Sequence, residues 1–201
     1  MNHYIYILIF AGAAYLIGSI STAIITCKIM GIKDPRKTGS HNPGATNVLR
    51  HGGKKAAIIT LFGDMLKGLI PVLVAIQFQL EPTGIALVGL SALLGHVFPV
   101  YYGFKGGKGV ATYYGVILGI NWLVGLIALG IWLAVAALLK ISSLSALISI
   151  FATPFILWHF SQSIELTAAT AVMSIIVFWR HRSNIQSLLQ GTEGKISNET
   201  K

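Results

Sequence analysis

The sequence is dominated by a succession of apolar segments that are long enough to cross a lipid bilayer. A helix rises about 1.5 Å per residue, so about 20 apolar residues span the hydrocarbon core. Hydrophobic residues make up 54% of the 201 residues and charged residues only 10%, against roughly 25% charged residues in soluble domains. The sequence therefore predicts an all-α integral membrane protein. Seven segments are predicted to span the membrane: 1–29, 56–76, 84–102, 110–120, 122–139, 144–160 and 166–179.

The distribution of basic residues decides how these segments are counted. The segment 110–120 rises only about 16 Å, which is about half of the hydrocarbon core. If it were joined to 122–139 as one helix, the basic cluster 180–182 would lie outside, against the positive-inside rule. With a short helix at 110–120, an outside N-terminus and a cytoplasmic C-terminus, every Lys and Arg except the intramembrane Lys67 lies on the cytoplasmic side. We therefore predict seven transmembrane helices, one of them a half-span.

Composition also limits the partners of the chain. The net charge of +9 is explained by basic loops between the membrane segments, so no nucleic-acid partner is expected. Cys27 is the single cysteine and excludes an internal disulfide, and six acidic residues offer no metal-ligand cluster. We expect no metal and no cofactor. Residues 1–194 are predicted to form one domain, followed by a disordered cytoplasmic tail at 195–201.

A glycine-rich stretch, FKGGKGVATY at 104–113, lies between two apolar segments. Glycines let backbone N–H groups converge on an anion, and a helix that begins near residue 110 adds its positive dipole end. The stretch is typical of a phosphate-binding loop, although a basic turn between two membrane helices is the alternative. It is not a Walker loop, which needs Gly-Lys-Ser/Thr after a strand. The candidate residues are Gly106, Gly107, Lys108, Gly109 and Thr112.

A long polar stretch at 31–55 is predicted to lie on the same side of the membrane. Its many glycines, hydroxyls and amides are poor helix material and favour a loop that folds around a ligand. A plain connecting loop is the alternative. The candidate binding residues are Ser40, Asn42, Thr46, Asn47 and Arg50.

A third polar stretch, 180–193, follows the last apolar segment. His181 and Asn184 are three residues apart, so they are predicted to share one helical face, although the same spacing occurs on any solvated face. His96, near the end of the third segment, is interpreted as a structural residue rather than a catalyst.

Two charged residues lie inside the second apolar segment. Asp64 and Lys67 are separated by three positions, so they can pair on one helical face inside the bilayer. A functional role and a structural ion pair are both open.

Four motifs occur in the order GSIS, GIKDPRKTGSHNPGATNVLR, GHVFPVYYGFKGGKGVAT and RHRSNI with QSLLQGTE, between about residues 16 and 193. Together they resemble the cytoplasmic motifs of the bacterial membrane acyltransferases of the PlsY family, which use acyl-phosphate. The resemblance implies seven membrane helices in the bacterial inner membrane and an active site facing the cytoplasm. It also implies transfer of an acyl group to the 1-position of sn-glycerol 3-phosphate, giving lysophosphatidate and phosphate at the start of phospholipid synthesis.

The resemblance also implies roles for individual residues. Residues implied to be catalytic are Ser40, Lys108, His181 and Asn184, and those implied to bind substrate or phosphate are Asn42, Thr46, Asn47, Arg50, Gly106, Gly107, Gly109, Thr112 and Ser143. His96 and Glu193 are implied to support the structure. Three positions depart from the family pattern, with Ser21 in place of Pro and His41 and Ser145 in place of Gly.

The expected partners are acyl-phosphate, glycerol 3-phosphate and membrane lipids, with a functional link to the enzyme that makes acyl-phosphate and to the next acyltransferase. Either a substrate phosphate or His181 is expected to take the proton. A small organophosphate transporter is the main alternative, but the chain shows no repeated half. A metal-dependent phosphotransferase would need clustered aspartates, and a thioester-using enzyme would need the absent His-x4-Asp motif.

Overall fold

The computed structural model describes residues 2–196, and across this range the chain is helical without any strand. Residues 197–201, most of the predicted tail, lie outside the described residues, whereas the Ile196 N–H donates to the Lys140 carbonyl at 2.8 Å. The helices are α1 Asn2–Gly18, α2 Thr22–Ile29, α3 Ala45–Gln77, α4 Pro82–Val97, α5 Val110–Ile120, α6 Trp122–Leu139, α7 Ser142–Ser161, α8 Ile164–Arg180 and α9 Arg182–Leu189, with a 3₁₀ turn at Val100–Tyr102.

Five helical segments within residues 2–196 are long and apolar enough to cross a membrane, by length and composition. They are Tyr4–Ile29, Ala45–Gln77, Pro82–Tyr102, Trp122–Leu139 and Ser142–Ser161. Large apolar side chains such as Leu133, Phe155 and Ile175 are more than 60% exposed, as expected where a helix faces lipid tails. The all-helical membrane fold is thus confirmed, while the number of seven spans and their orientation stay a prediction.

The first predicted segment differs from the structure, because it is two helices and not one. α1 ends at Gly18, and α2 begins at Thr22 after the N-cap Ser21. The Ser21 side chain accepts a hydrogen bond from the Ile24 N–H, and Lys67 Nζ donates to the Ile20 carbonyl at 2.8 Å. The break is stable inside an apolar run because these two side chains satisfy backbone groups that a helix end leaves unpaired.

The second prediction that fails concerns the polar stretch 31–55. The structure begins α3 at Ala45, so residues 45–55, apart from Gly53, are helical and not part of a loop. Gly53 has φ 83 and a non-helical conformation, which kinks α3 there. Thr46, Asn47 and Arg50 therefore project from the first two turns of a helix.

The predicted short helix is confirmed to the residue. α5 covers Val110–Ile120, and Asn121 separates it from α6. The Asn121 side chain caps α6 by accepting from the Leu123 and Val124 N–H groups. α5 packs tightly on α3, since a Cβ at Gly115 would lie 2.0 Å from the Met65 carbonyl oxygen. At 11 residues, α5 is about 16 Å long and α6, at 18 residues, about 27 Å.

Hydrogen bonds bring four polar segments to one end of the helix bundle. Thr46 at the start of α3 contacts Ser142 at the start of α7 at 3.1 Å, and Arg180 at the end of α8 donates to the Gly106 and Gly107 carbonyls. The chain leaves this end along α5 and returns to it along α6. A single helix over residues 110–139 would place the glycine loop and the start of α7 at opposite ends, so the predicted division is required by these contacts.

Candidate active site

A chain of hydrogen bonds joins the glycine loop, α7, α9 and the C-terminal segment. Lys108 Nζ donates to Asn184 Oδ1 at 2.5 Å, and Asn184 Nδ2 donates to Glu193 Oε1 at 2.6 Å. Ser143 Oγ donates to the same Glu193 oxygen at 2.5 Å. A charged group at each end makes these hydrogen bonds stronger than neutral ones. Lys108 and Asn184, which the resemblance implies to be catalytic, therefore form one polar cluster with the implied binding residue Ser143 and the implied structural residue Glu193.

The Lys108 ammonium is held in a largely buried and mainly cationic setting. Burial lowers the pKa of Lys108 most, the Glu193 carboxylate opposes this, and Arg180 and Arg50 lower the pKa further. A cation that lacks water and stands near other cations gains from an added anion, because the anion restores the lost solvation and offsets the repulsion. The surroundings of Lys108 thus favour a bound phosphate or carboxylate group.

His181 lies at the junction between α8 and α9, where its side chain is only 3% exposed. Its Nδ1 lies 2.8 Å from the Val177 carbonyl oxygen. A carbonyl oxygen can only accept, so Nδ1 carries the hydrogen and Nε2 is the acceptor of the neutral ring. Burial lowers the pKa of His181 to about 4, and Lys108 and Arg180 add to this, while the Val177 hydrogen bond and Glu193 oppose it. At neutral pH the ring is therefore uncharged.

The glycine loop is fixed between α4 and α8. The Gly106 and Gly107 N–H groups donate to the Val97 and His96 carbonyls, each at 3.2 Å. The Arg180 guanidinium donates to the Gly106 carbonyl at 2.9 Å and to the Gly107 carbonyl at 3.2 Å. This differs from the expectation that both N–H groups face an anion, because both already pair with the end of α4.

The loop needs its glycines for a different reason. A Cβ at Gly106 would lie 2.0 Å from the His96 carbonyl oxygen, and one at Gly107 would lie 2.3 Å from His96 Nε2. Gly109 has φ 88, a conformation that other residues rarely adopt, and it directly precedes α5. The glycines let the loop pass close to α4 and then turn into the first turn of α5.

Three helices begin at this end of the bundle and direct their positive dipole ends toward it. α3, α5 and α7 begin at Ala45, Val110 and Ser142, next to Arg50, Lys108 and Ser143 respectively. The N–H groups in the first turn of a helix have no partner within the helix and stabilise anions. Helix dipoles and basic side chains thus act in the same direction.

The first polar motif is organised by Asn47, which is 3% exposed. Its Nδ2 donates to the carbonyls of Pro35, Thr38 and Asn42 at 2.9 to 3.1 Å, and its Oδ1 accepts from the Ser40 N–H at 3.2 Å. Asn47 therefore shapes the loop that carries the exposed Ser40 and the half-buried Asn42 side chains. No hydrogen bond in the described part of the chain joins the Ser40 or Asn42 side chain to the Lys108 cluster.

Arg50 reaches the C-terminal segment from α3. Its guanidinium donates to the Gly194 carbonyl at 3.4 Å and to the Lys195 carbonyl at 3.1 Å. Arg50 therefore lies close to Glu193 and contributes positive charge at Lys108.

His41 occupies a position where the resembled family usually has glycine, and the backbone explains that preference. His41 has φ 56, in the left-handed region. Its Nδ1 lies 3.1 Å from the Arg36 carbonyl oxygen, and this local contact accompanies the unusual backbone conformation. His41 adopts the left-handed backbone conformation that glycine adopts easily. Replacing the usual glycine with histidine therefore changes the side chain but keeps this turn.

Thr112 is another candidate without a hydrogen bond to the Lys108 cluster in the described part of the chain. It is 0% exposed, its hydroxyl donates to the Asp64 carbonyl at 2.9 Å, and it lies 3.1 Å from His96 Nδ1. Arg180 was not among the site residues predicted from the sequence. The adjacent His181 was the available clue, because an arginine beside a site residue is well placed to reach the same loop.

The Asp64–Lys67 pair predicted from the sequence is confirmed. Lys67 Nζ lies 2.7 Å from Asp64 Oδ1, and both side chains are buried. Among the described residues, no three His, Cys, Asp or Glu side chains form a group that could hold a metal ion. Independence of metals therefore stays a prediction that needs its own measurement.

The fold and the site together define an all-helical membrane protein with a cationic, glycine-lined polar end. The family model described as glycerol-3-phosphate acyltransferase matches residues 8–191. The glycerol-3-phosphate acyltransferase of Thioalkalivibrio sulfidiphilus is 58% identical over 188 residues, which is 94% of this chain and 93% of that protein. The enzyme of the same name from Methylococcus capsulatus is 52% identical over 183 residues, covering 91% and 92% of the two chains.

Solved structures agree with these relatives. The crystal structure of PlsY, an integral membrane glycerol 3-phosphate acyltransferase, in its glycerol 3-phosphate form has a TM-score of 0.90 and 36% identity, covering 94% of this chain and 95% of that chain. Its lysophosphatidic acid form has a TM-score of 0.89 and 35% identity over the same shares. The chain belongs to the glycerol-3-phosphate acyltransferase family.

Proposed function

We propose that this protein transfers the acyl group of acyl-phosphate to the 1-hydroxyl of sn-glycerol 3-phosphate, giving lysophosphatidate and inorganic phosphate. The observation that carries the proposal is the cluster of Lys108, Asn184, Ser143 and Glu193, flanked by Arg50 and His181, at one end of a membrane fold. The names of the relatives supply the glycerol 3-phosphate acceptor. The acyl-phosphate donor follows from the resemblance and from the chemistry of the cluster.

The reaction needs binding and charge stabilisation more than it needs a protein nucleophile. The glycerol hydroxyl oxygen attacks the acyl carbon, the bond from that carbon to the phosphate oxygen breaks, and phosphate leaves. An acyl-phosphate is already activated, so orientation of the two substrates and neutralisation of their charge are sufficient tasks for the protein. Lys108, Arg50 and the first turns of α3, α5 and α7 supply positive charge for the two phosphate groups.

The proton of the attacking hydroxyl must go to a base within hydrogen-bond reach. Two proton acceptors are available to the reaction, the neutral His181 ring and a phosphate of a bound substrate. A ring whose pKa is about 4 is a weak base, so the phosphate is the favoured proton acceptor. His181 Nε2 then accepts a hydrogen bond from the other glycerol hydroxyl, the 2-hydroxyl, and so orients the substrate.

We propose that the polar end faces the cytoplasm of a bacterium and that the protein lies in the cytoplasmic membrane. This orientation follows the positive-inside rule, because basic residues collect at the polar end. A water-soluble substrate then enters from the cytoplasm while the acyl chain lies among lipid tails. The reaction needs a preceding enzyme that makes acyl-phosphate and a following acyltransferase that uses lysophosphatidate.

The test is a reconstituted assay with purified protein in vesicles, acyl-phosphate and radiolabelled glycerol 3-phosphate. We expect lysophosphatidate and inorganic phosphate in equal amounts. Product from an acyl thioester, with none from acyl-phosphate, would overturn the donor. Uptake of glycerol 3-phosphate into the vesicles without any acylated product would instead identify a transporter.

The same assay tests independence from metals. We expect activity to remain within about twofold after treatment with EDTA, because lysine, arginine and helix dipoles replace a metal in balancing phosphate charge. The measurement is the rate of phosphate release before and after chelation. A loss of activity that Mg²⁺ restores would contradict the prediction.

Cysteine labelling tests the predicted orientation. The native Cys27 is 2% exposed, so its background labelling is expected to be low. In intact cells, Gln79→Cys and Gln162→Cys are expected to react with a membrane-impermeant maleimide, whereas Ser187→Cys is expected to react only after permeabilisation. Labelling of Ser187→Cys from outside would reverse the orientation.

A further inference from the structure

A buried polar network lies behind the glycine loop, on the side of the loop that contacts α4. It contains Asp64 and Lys67 of α3, His96 of α4 and Thr112 of α5, all at most 7% exposed. Lys67 Nζ lies 2.7 Å from Asp64 Oδ1 and 2.8 Å from the Ile20 carbonyl oxygen. The network therefore connects the break between α1 and α2 to α3, α4 and α5.

The hydrogen bonds of Thr112 define the state of the His96 ring. The Thr112 hydroxyl hydrogen goes to the Asp64 carbonyl, which can only accept. The Thr112 oxygen is then an acceptor for His96 Nδ1, 3.1 Å away, so Nδ1 carries the ring hydrogen. The Asp64 carboxylate, 3.8 Å from Nδ1, favours the same tautomer.

The oriented His96 ring forms one wall of the glycine loop. Its Nε2 faces Gly107 so closely that a Cβ there would lie 2.3 Å from it. The His96 carbonyl accepts from the Gly107 N–H on the same side, and Arg180 binds the Gly107 carbonyl. The Gly107 peptide is thus fixed by α4 and α8, and Lys108 is the next residue.

We infer that Thr112 is a positioning residue, which holds His96 against Gly107 and so sets the position of the Lys108 ammonium. Thr112 does not touch substrate, because it is 0% exposed and its hydroxyl is fully used by Asp64 and His96. This role rests on the proposed function only in taking Lys108 as the phosphate-binding cation. Loss of the hydroxyl frees the ring to rotate, and a displaced loop then weakens phosphate binding.

The experiment compares variants of the full-length protein by calorimetric binding of inorganic phosphate and by the KM for glycerol 3-phosphate. Thr112→Val keeps the shape but removes the hydroxyl. We expect it to raise both the Kd for inorganic phosphate and the KM for glycerol 3-phosphate at least about fivefold. Thr112→Ser retains the hydroxyl and is expected to stay within about twofold of wild type. Thr112→Cys, a weaker hydrogen-bonding group, is expected to fall between them and serves if the valine variant does not fold.

Thr60→Val is the matched control. Thr60 is also 0% exposed, lies on α3 one turn before Asp64, and its hydroxyl has no hydrogen-bond partner among the described residues. We expect wild-type constants for this variant. The Kd and the KM do not depend on the folded fraction, so a substitution that only lowers the amount of folded protein leaves them unchanged.

Two results would overturn the positioning role. One is a Thr112→Val or Thr112→Cys protein with wild-type constants, and the other is a Thr60→Val protein with the same increase as Thr112→Val. Calorimetry needs no turnover, so the role is tested even if acyl-phosphate proves to be the wrong donor. Failure of the wild-type acylation assay would count against the proposed function alone.

Discussion

Replacing Lys108 with alanine is expected to lower kcat/KM for glycerol 3-phosphate by about two to three orders of magnitude. The Lys108 ammonium is held by Asn184 in a cationic setting with little water. In the proposed complex, Lys108 pairs with a substrate phosphate. Removing one partner of a buried charge pair costs about 3–5 kcal/mol, because the other charge, here the phosphate, is left unpaired. The measurement is steady-state kinetics with acyl-phosphate and glycerol 3-phosphate.

Lys105→Ala is the matched control for this prediction. Lys105 lies in the same loop, but its side chain is exposed, and an exposed charge contributes little. We expect its kcat/KM to stay within about threefold of wild type. Lys108→Arg is expected to restore little activity, because a planar guanidinium does not replace a compact ammonium between Gly107 and Gly109. Equal losses for the alanine variants of Lys105 and Lys108 would contradict the assigned role.

The short helix α5 shows what charge distribution predicts well. Its bounds, and those of α6, could be derived because one continuous helix would have moved basic residues to the wrong side of the membrane. Asn121 then provided a suitable N-cap for α6. Length and composition alone would have favoured one long helix over residues 110–139.

The break after α1 and the early start of α3 were not predictable from local sequence. The break at residues 19–21 lies inside an apolar run and depends on Lys67, which is 47 positions away from Ile20 in the chain. α3 begins among glycines because Asn47 binds three carbonyls of the preceding loop, and such tertiary contacts override weak local preferences. Neither contact has a signal at short range in the sequence.

In the candidate site, the sequence indicated which residues take part but not how they pack. The glycine-rich stretch indicated Lys108 and the helical spacing from His181 indicated Asn184, whereas Ser143 and Glu193 were implied only by the resemblance. The structure brings these four together. The partners of the loop N–H groups depend on how closely α4 packs, and the sequence offered no measure of that distance. The burial of Thr112 depends on the same packing.

The state of His181 leads to the last prediction. The basic surroundings of His181 in the sequence favour a role as a donor to a substrate phosphate, but a neutral ring with Nδ1–H on Val177 offers Nε2 only as an acceptor. The partner that we expect is the 2-hydroxyl of glycerol 3-phosphate, because the single proton of the attacking 1-hydroxyl goes to phosphate. Replacing His181 with alanine should then cost about 1–3 kcal/mol and raise the KM for glycerol 3-phosphate about ten- to a hundredfold, with a smaller change in kcat.

The pH dependence separates this role from that of a histidinium. An ordinary histidine becomes protonated as the pH falls through about 6.5, whereas the pKa of His181 is lowered to about 4 by burial. The ring therefore stays neutral from pH 8 down to pH 5.5. The ratio of kcat/KM for His181→Ala to that of the wild type should be constant over this range, and the ratio cancels the ionisation of the substrate phosphate.

His181→Gln provides the matched variant, because its amide places a hydrogen-bonding group near the position of Nε2 but cannot take a proton. If His181 binds the 2-hydroxyl, glutamine should reverse part of the increase in KM that alanine causes. If His181 is instead the general base, both variants should keep the wild-type KM, and kcat should fall by two or more decades. A ratio that changes near pH 6.5 would show that the charged ring acts in the reaction, and it would exclude the neutral acceptor.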